Sequence, residues 1–185
     1  VGPRDDQVSA ARADQAVLAT RLAAAQREVA ALHGVAGILE SPALAGALLV
    51  PARVVAVGAS GPAGPERVTI DAVSRDGIEV DRTVVAAQGL VGRVVSVAPW
   101  TSDVLLVGSP ELAVGVRVGP QGVLGEVSGA AVAGGARPAP GLLSFALVDR
   151  GTATTGDVVT TLGSVGQRPY VPGIPVGRVD TVHRV

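Results

Sequence analysis

The 185-residue chain contains no cysteine, no methionine, no lysine and no asparagine. Without cysteine there are no disulfides and no thiolate metal sites, and the redox compartment stays open. Without lysine there is no Schiff base, no phosphate-loop lysine and no Ser-Lys dyad. All 15 basic residues are arginine, a bias that a GC-rich coding sequence produces. Aromatics are almost missing as well: Trp100, Phe145 and Tyr170 make up the whole set. A core must therefore be built from Val, Leu, Ile and Ala, and aromatic platforms for glycans or single-stranded nucleic acid have little to stand on. The formal net charge of −1 offers no surface for nucleic acid or anionic lipid. Mean hydropathy is high at +0.45, yet the longest apolar run, Ala43–Val50, stops at Pro51. It falls well short of the ~18 residues of a membrane span. The chain does not begin with Met, which is read as the mark of a fragment or a processed chain.

What the chain does have is Gly (25), Pro (13) and 48% hydrophobic residues, the mixture of many short strands joined by turns. The first part is different. Residues 5–33 are Ala-rich and free of internal Gly and Pro, and predict a helix. Val8, Ala11, Gln15, Leu18, Leu22, Ala25, Val29 and Leu32 step alternately by three and four. That is a heptad register with Val8, Gln15, Leu22 and Val29 at a, and Ala11, Leu18, Ala25 and Leu32 at d. His33 and Gly34 are expected to close the helix. The seam is thin, so weak self-association through Val8, Leu18, Leu22, Val29 and Leu32 is expected. In a parallel pair Glu28 faces His33 of the second copy. The competing reading is an amphipathic helix lying on its own domain.

Residues 34–50 are expected to be a Gly/Ala/Pro connector. After Pro51 the period changes to that of strands. Candidates are 52–57, 66–71, 83–87, 90–97, 103–108, 113–118, 122–127, 142–148, 157–162 and 175–182. Ten short strands exceed one small sheet, so two small barrels or sandwiches are expected. Residues 129–141 read as a flexible surface loop. Val-Gly-Arg-Val occurs twice, at 91–94 and 176–179, each time after a Gly-containing turn and a Val-rich strand. This predicts two related hairpins and two β-domains on one plan. Gly92 and Gly177 would mark a bend or bulge, with Arg93 and Arg178 solvated beside it.

Reactive constellations are hard to find. The two histidines, His33 and His183, belong to different elements, which argues against a metal site or a Ser-His-Asp centre. Asp76, Glu79 and Asp81, flanked by Arg75 and Arg82, read as a solvated turn. Trp100, after Pro99, is either an interface anchor or a core residue. A helix able to pair, followed by aromatic-poor β-domains, suits a scaffold or adaptor better than an enzyme.

Residues 68–118, with Ile-Asp, a Asp-Gly turn, "GLVGRV" and a Ser-x-Val-Leu-Leu strand, resemble the rod shape-determining protein family MreC. The tail "TGDVVTTLGSVGQRPYVPGIPVGRVDTV" (155–182) is similar to that family's ending. Asp81 stands where the family commonly has Gly, and 129–141 is unusually rich in Ala and Gly. The resemblance implies a mainly β fold: an N-terminal coiled-coil helix (1–40) followed by two small β-barrel domains (41–98 and 99–185), with the last strands able to return to the first. It implies a bacterial protein held in the cell membrane by a single span, this part lying on the extracytoplasmic side. It further implies a non-enzymatic scaffold of cell elongation without catalytic residues or cofactor. The partners implied are a second copy, extending to filaments, and a class B penicillin-binding protein, RodA, MreD and the actin-like MreB. Nucleic acid and small-molecule substrates are not among them. The alternative is a periplasmic adaptor of an export system, whose two β-halves are usually divided by a helical hairpin.

Overall fold

A computed structural model describes residues 3–58, 60–61, 64–131, 138–139, 141–148 and 151–182. The candidate loop 129–141 lies largely outside the described residues. Helix α1 spans Pro3–Leu39. It does not end at Gly34 as expected but continues past Gly37. Gly34 serves closeness instead: a Cβ there would sit 2.6 Å from the Cβ of Ala87. The end of α1 is therefore seated against the first sheet. The expected connector shrinks to a 3-10 turn, Pro42–Leu44, whose Leu44 is buried.

From residue 12 to residue 30 every side chain of α1 is exposed. This stretch stands clear of the sheets, so the reading in which the helix lies along its own domain does not hold for residues 12–30.

Among the described residues twelve strands follow. They are β1 (Val54–Val57), β2 (Ser60–Gly61), β3 (Gly64–Pro65), β4 (Arg67–Ile70), β5 (Thr83–Ala86) and β6 (Gly89–Val97), then β7 (Ser102–Leu106), β8 (Ala113–Val118), β9 (Val123–Ser128), β10 (Ser144–Leu147), β11 (Val158–Thr161) and β12 (Pro175–Arg178). The first sheet has the order β1-β4-β7-β6-β5 and the second β10-β9-β8-β11-β12; β2 and β3 form a small separate ribbon. The pairings within all three are antiparallel. The first sheet runs to Leu106, past the 98/99 division expected from sequence.

Neither sheet closes into the expected barrel. Among the described residues no ladder joins β1 to β5 or β10 to β12. These edge strands have four residues each, and closure would need a staggered pairing between them that neither sheet makes. The edge at β5 is covered by the second sheet's loop, as described below.

The alternation of β8 shows how sequence makes this core. Val114, Val116 and Val118 point inward and are at most 1% exposed, while Ala113, Gly115 and Arg117 face out. Each buried Val stabilises the fold by about 1.5–3 kcal/mol relative to exposure. These residues share one cluster with Val127 and Ile174 of the second sheet's side, Leu90 and Leu105 of the first sheet, and Leu44. The opposite face of the first sheet holds a smaller cluster of Val68, Ile70, Ala72, Val94 and Val104. Among the described residues, Tyr170 is the single aromatic in the buried core.

The repeated Val-Gly-Arg-Val is a structural repeat, but a local one. In the first hairpin Val84 pairs Gly92 and Val85 pairs Leu90, so Val91 is the extra residue of a bulge. In the second, Val159 pairs Gly177 and Thr160 pairs Pro175, leaving Val176 extra. The bulge therefore falls on the same Val of both copies. The surroundings differ. β6 is interior, between β5 and β7, whereas β12 is an edge. The expectation of two domains on one plan is thus corrected to one shared bulged hairpin set into two different strand orders.

Candidate functional site

The bare helix offers a surface to other molecules, and the junction end of the first sheet gathers the charged and polar side chains that hold the two sheets together. On α1, Leu18, Leu22 and Val29 are 63%, 59% and 51% exposed. Val8 and Leu32 lie in the same helix, but their side chains fall outside the described residues. Leu18, Leu22 and Val29 are spaced by four and seven, which places them on one face of the helix.

The turn carrying Asp76, Glu79 and Asp81 proves to be more than a solvated turn. Asp76 folds it locally by accepting the Val73 N–H at 3.0 Å. Glu79 Oε2 accepts from Arg82 Nη2 at 2.6 Å and also from Arg168 of the second sheet's loop. The Arg168 guanidinium, then that of Arg82, hold the Glu79 carboxyl below the usual glutamate range, against a smaller upward push from desolvation. Asp81 accepts from Arg93 Nη1 at 2.5 Å. Next to them, Thr83 Oγ1 donates to the Pro169 carbonyl at 2.7 Å and accepts the Val171 N–H at 3.1 Å. Gly89 completes the contact: a Cβ there would lie 2.1 Å from the Pro175 carbonyl oxygen.

Tyr170 is buried in this junction, and its hydroxyl finds no hydrogen-bond partner among the described residues. Burial pushes that hydroxyl above the ordinary tyrosine range, and the nearby Arg93 opposes the shift. Arg93 is therefore a junction residue, half-buried, whereas Arg178 is exposed and donates to the Gly156 carbonyl at 3.2 Å. Sequence reasoning missed Thr83, Arg168 and Tyr170 as a group. The partners of Thr83 and Arg168 lie 86 to 89 residues away, and nothing local marks any of the three.

Trp100 sits in the turn between β6 and β7 and is 77% exposed, which sets aside its core reading. The Arg75 guanidinium lies 6.0 Å from its ring centroid, at the outer limit of a cation–π contact. Among the described residues no three His, Asp or Glu side chains gather to hold a metal, and no helix is long and apolar enough to cross a membrane. A depression of about 130 Å³ lies between Val118, Gly119, Thr154 and Asp157. It is smaller than the ~300 Å³ at which small-molecule sites begin.

A projecting helix with a bare apolar stripe, set on two open sheets that share a core, defines a stalk-and-head protein. The family profile described as "Rod shape-determining protein MreC, barrel core" matches residues 57–185, and the chain belongs to that family. Among solved structures, one titled MreC is 28% identical, with a TM-score of 0.68, over 85% of this chain and 82% of that one. MreC from Pseudomonas aeruginosa is 26% identical, with a TM-score of 0.56, over 71% and 79%. A complex between penicillin-binding protein PBP2 and MreC from Helicobacter pylori shares the fold at 18% identity and a TM-score of 0.52, over 71% and 76%. Comparison with curated proteins gives no match. The export-adaptor alternative finds no support: the helix precedes both sheets instead of dividing them.

Proposed function

We propose that this chain is the extracytoplasmic part of a non-enzymatic scaffold that organises peptidoglycan synthases during bacterial cell elongation. The observation that carries the reading is the family match over 57–185. Support for the compartment comes from a similar fold titled as the major periplasmic domain of a cell shape-determining filament. Support for a synthase partner comes from the PBP2–MreC complex of Helicobacter pylori. In this reading a membrane span anchors the protein. The sheets dock a class B penicillin-binding protein, with Trp100 as an exposed anchor, and the complex extends to RodA, MreD and MreB. The exposed stripe of Leu18, Leu22 and Val29 pairs with a second copy, and Val8 and Leu32 continue the seam. Dimers then set the spacing of the heads, and further head contacts extend them to filaments.

The test has two arms. The sheets with the helix should capture the extracytoplasmic domain of a class B penicillin-binding protein. Sedimentation over a concentration series should show self-association that the Leu18→Asp and Leu22→Asp variants lose while their sheets stay folded. A chain that captures no synthase and remains monomeric alongside both variants would remove the reading.

A further inference from the structure

We infer that Gln15 fixes the alignment of the helix pair, holding two copies parallel and in register. The inference rests on the pairing proposed above. Gln15 occupies an a position, in line with Leu18, Leu22 and Val29, and it is exposed in the single chain. On pairing its amide enters the apolar seam and must find a partner there. In the parallel, in-register arrangement Gln15 meets Gln15 of the second copy, and each amide offers both a donor and an acceptor.

The apolar residues alone do not choose that arrangement. An antiparallel pair centred near Thr20 also packs well, with Leu18 against Leu22, and Val29 against Ala11, of the second copy. In that alignment, however, Gln15 faces Ala25 and is left unpaired. The flanking charges speak the same way. Antiparallel packing sets Asp14 against Glu28 twice and Arg21 against Arg21, all like charges. Parallel packing brings together Gln7 with Arg12, Asp14 with Ala19, Arg21 with Gln26 and Glu28 with His33, and no like charges meet. A polar residue at one a position and charges beside the seam are the two devices by which coiled coils select register and direction. The occupant of this helix face is therefore a second copy of the chain, with both heads at the same end.

The absence of native cysteine makes the test clean. Ala25→Cys is introduced into the full chain, which is then treated with a mild oxidant at concentrations where sedimentation shows dimers. In the parallel pair the two cysteines face each other across a d layer and join. In the antiparallel one they lie on different levels. Ala25→Cys should give disulfide dimer in high yield, and a Thr20→Cys control on the outer face should not. Adding Gln15→Leu should tighten association yet lower the disulfide yield several-fold, as other alignments become populated. Gln15→Asn should keep the yield. Dimers whose Ala25→Cys yield does not exceed the control, or a yield unmoved by Gln15→Leu, would overturn the inference. A monomer at all concentrations would instead overturn the pairing on which it rests.

Discussion

Thr83, on the edge strand of the first sheet, and Pro169, in the last loop of the second, are joined by a hydrogen bond of 2.7 Å from hydroxyl to carbonyl. The same hydroxyl accepts the Val171 N–H, so one side chain of the first sheet satisfies two backbone groups of the 169–171 segment across the junction. Thr83→Val keeps the shape and removes both bonds. The expected loss is about 1–3 kcal/mol, the cost of leaving partly buried polar groups unmet. Thr83→Ser should recover most of it. Chemical denaturation of the two variants beside the parent checks this, and an unchanged midpoint for Thr83→Val would show that water replaces the hydroxyl at no cost.

The Glu79–Arg168 pair should make the junction sensitive to acid. Arg168 and Arg82 lower the folded-state pKa of Glu79 below its ordinary 4.5. A depressed carboxylate pKa contributes stability above the unfolded value, and that stability is lost as pH falls through the folded value. Hydrogen exchange of the 168–171 segment should therefore accelerate below pH 4.5 in the parent, relative to Glu79→Gln. Both partners are about half exposed, so added salt should shrink the difference. A parent and variant with identical profiles at low salt would show that the pair does not hold the loop.

Identical motifs in different places should respond unequally to one added methyl group. A Cβ on Gly92 would lie 1.9 Å from the Leu105 carbonyl oxygen, inside the β6–β7 pairing. Gly177, in the edge strand β12, has no atom within 4 Å of the same position. Gly92→Ala should cost about 2–4 kcal/mol, because backbone must move. Gly177→Ala should stay within about 0.5 kcal/mol. Thermal melts of the pair decide it. Comparable losses would mean that the bulge itself, common to both, is what requires glycine.

Trp100 has too little packing to hold the fold. With 77% of its surface exposed, Trp100→Ala should shift the folding midpoint by no more than about 0.5 kcal/mol. If Trp100 anchors a synthase, the same change should weaken capture of the penicillin-binding protein domain by tenfold or more, about 1.4 kcal/mol or above, as central aromatic anchors do. Binding measured by titration calorimetry separates the two quantities. Undiminished affinity would move the docking surface elsewhere.

Strand positions were legible because Val alternates with polar or small residues over short runs between glycines, as in β8 and β9. The ten strands expected from sequence lie within two residues of their observed starts. Strand order was not legible. β6 and β12 share Val-Gly-Arg-Val, yet among the described residues β6 is interior, paired with β7 as well as β5, and β12 is an edge paired with β11. The helix end was misread because Gly34 looks like a stop signal. Its lack of a side chain answers to Ala87, distant in sequence. The junction was hidden for the same reason: Glu79 and Arg168 look like ordinary surface charges until the chain brings them together.

Asp81 joins the backbone and electrostatic arguments in one residue. Its φ of 63° lies in the left-handed region, which favours glycine and tolerates Asp and Asn. A glycine, which the resemblance implies at this position, would fit the same geometry. In this chain the carboxylate also accepts from Arg93, whose side chain is 29% exposed and lies beside the buried Tyr170. Three substitutions separate the two roles. Asp81→Asn keeps the backbone preference and can still accept from Arg93, so it should be the mildest. Asp81→Gly relaxes the backbone but frees the guanidinium, and should cost up to about 1 kcal/mol. Asp81→Ala loses the ion pair and also strains the turn by about 1–2 kcal/mol, making it the most damaging of the three. Denaturation midpoints in that order support both roles. Gly and Ala falling together would mean that the left-handed turn is not strained, and that the Arg93 contact alone explains the acidic residue here.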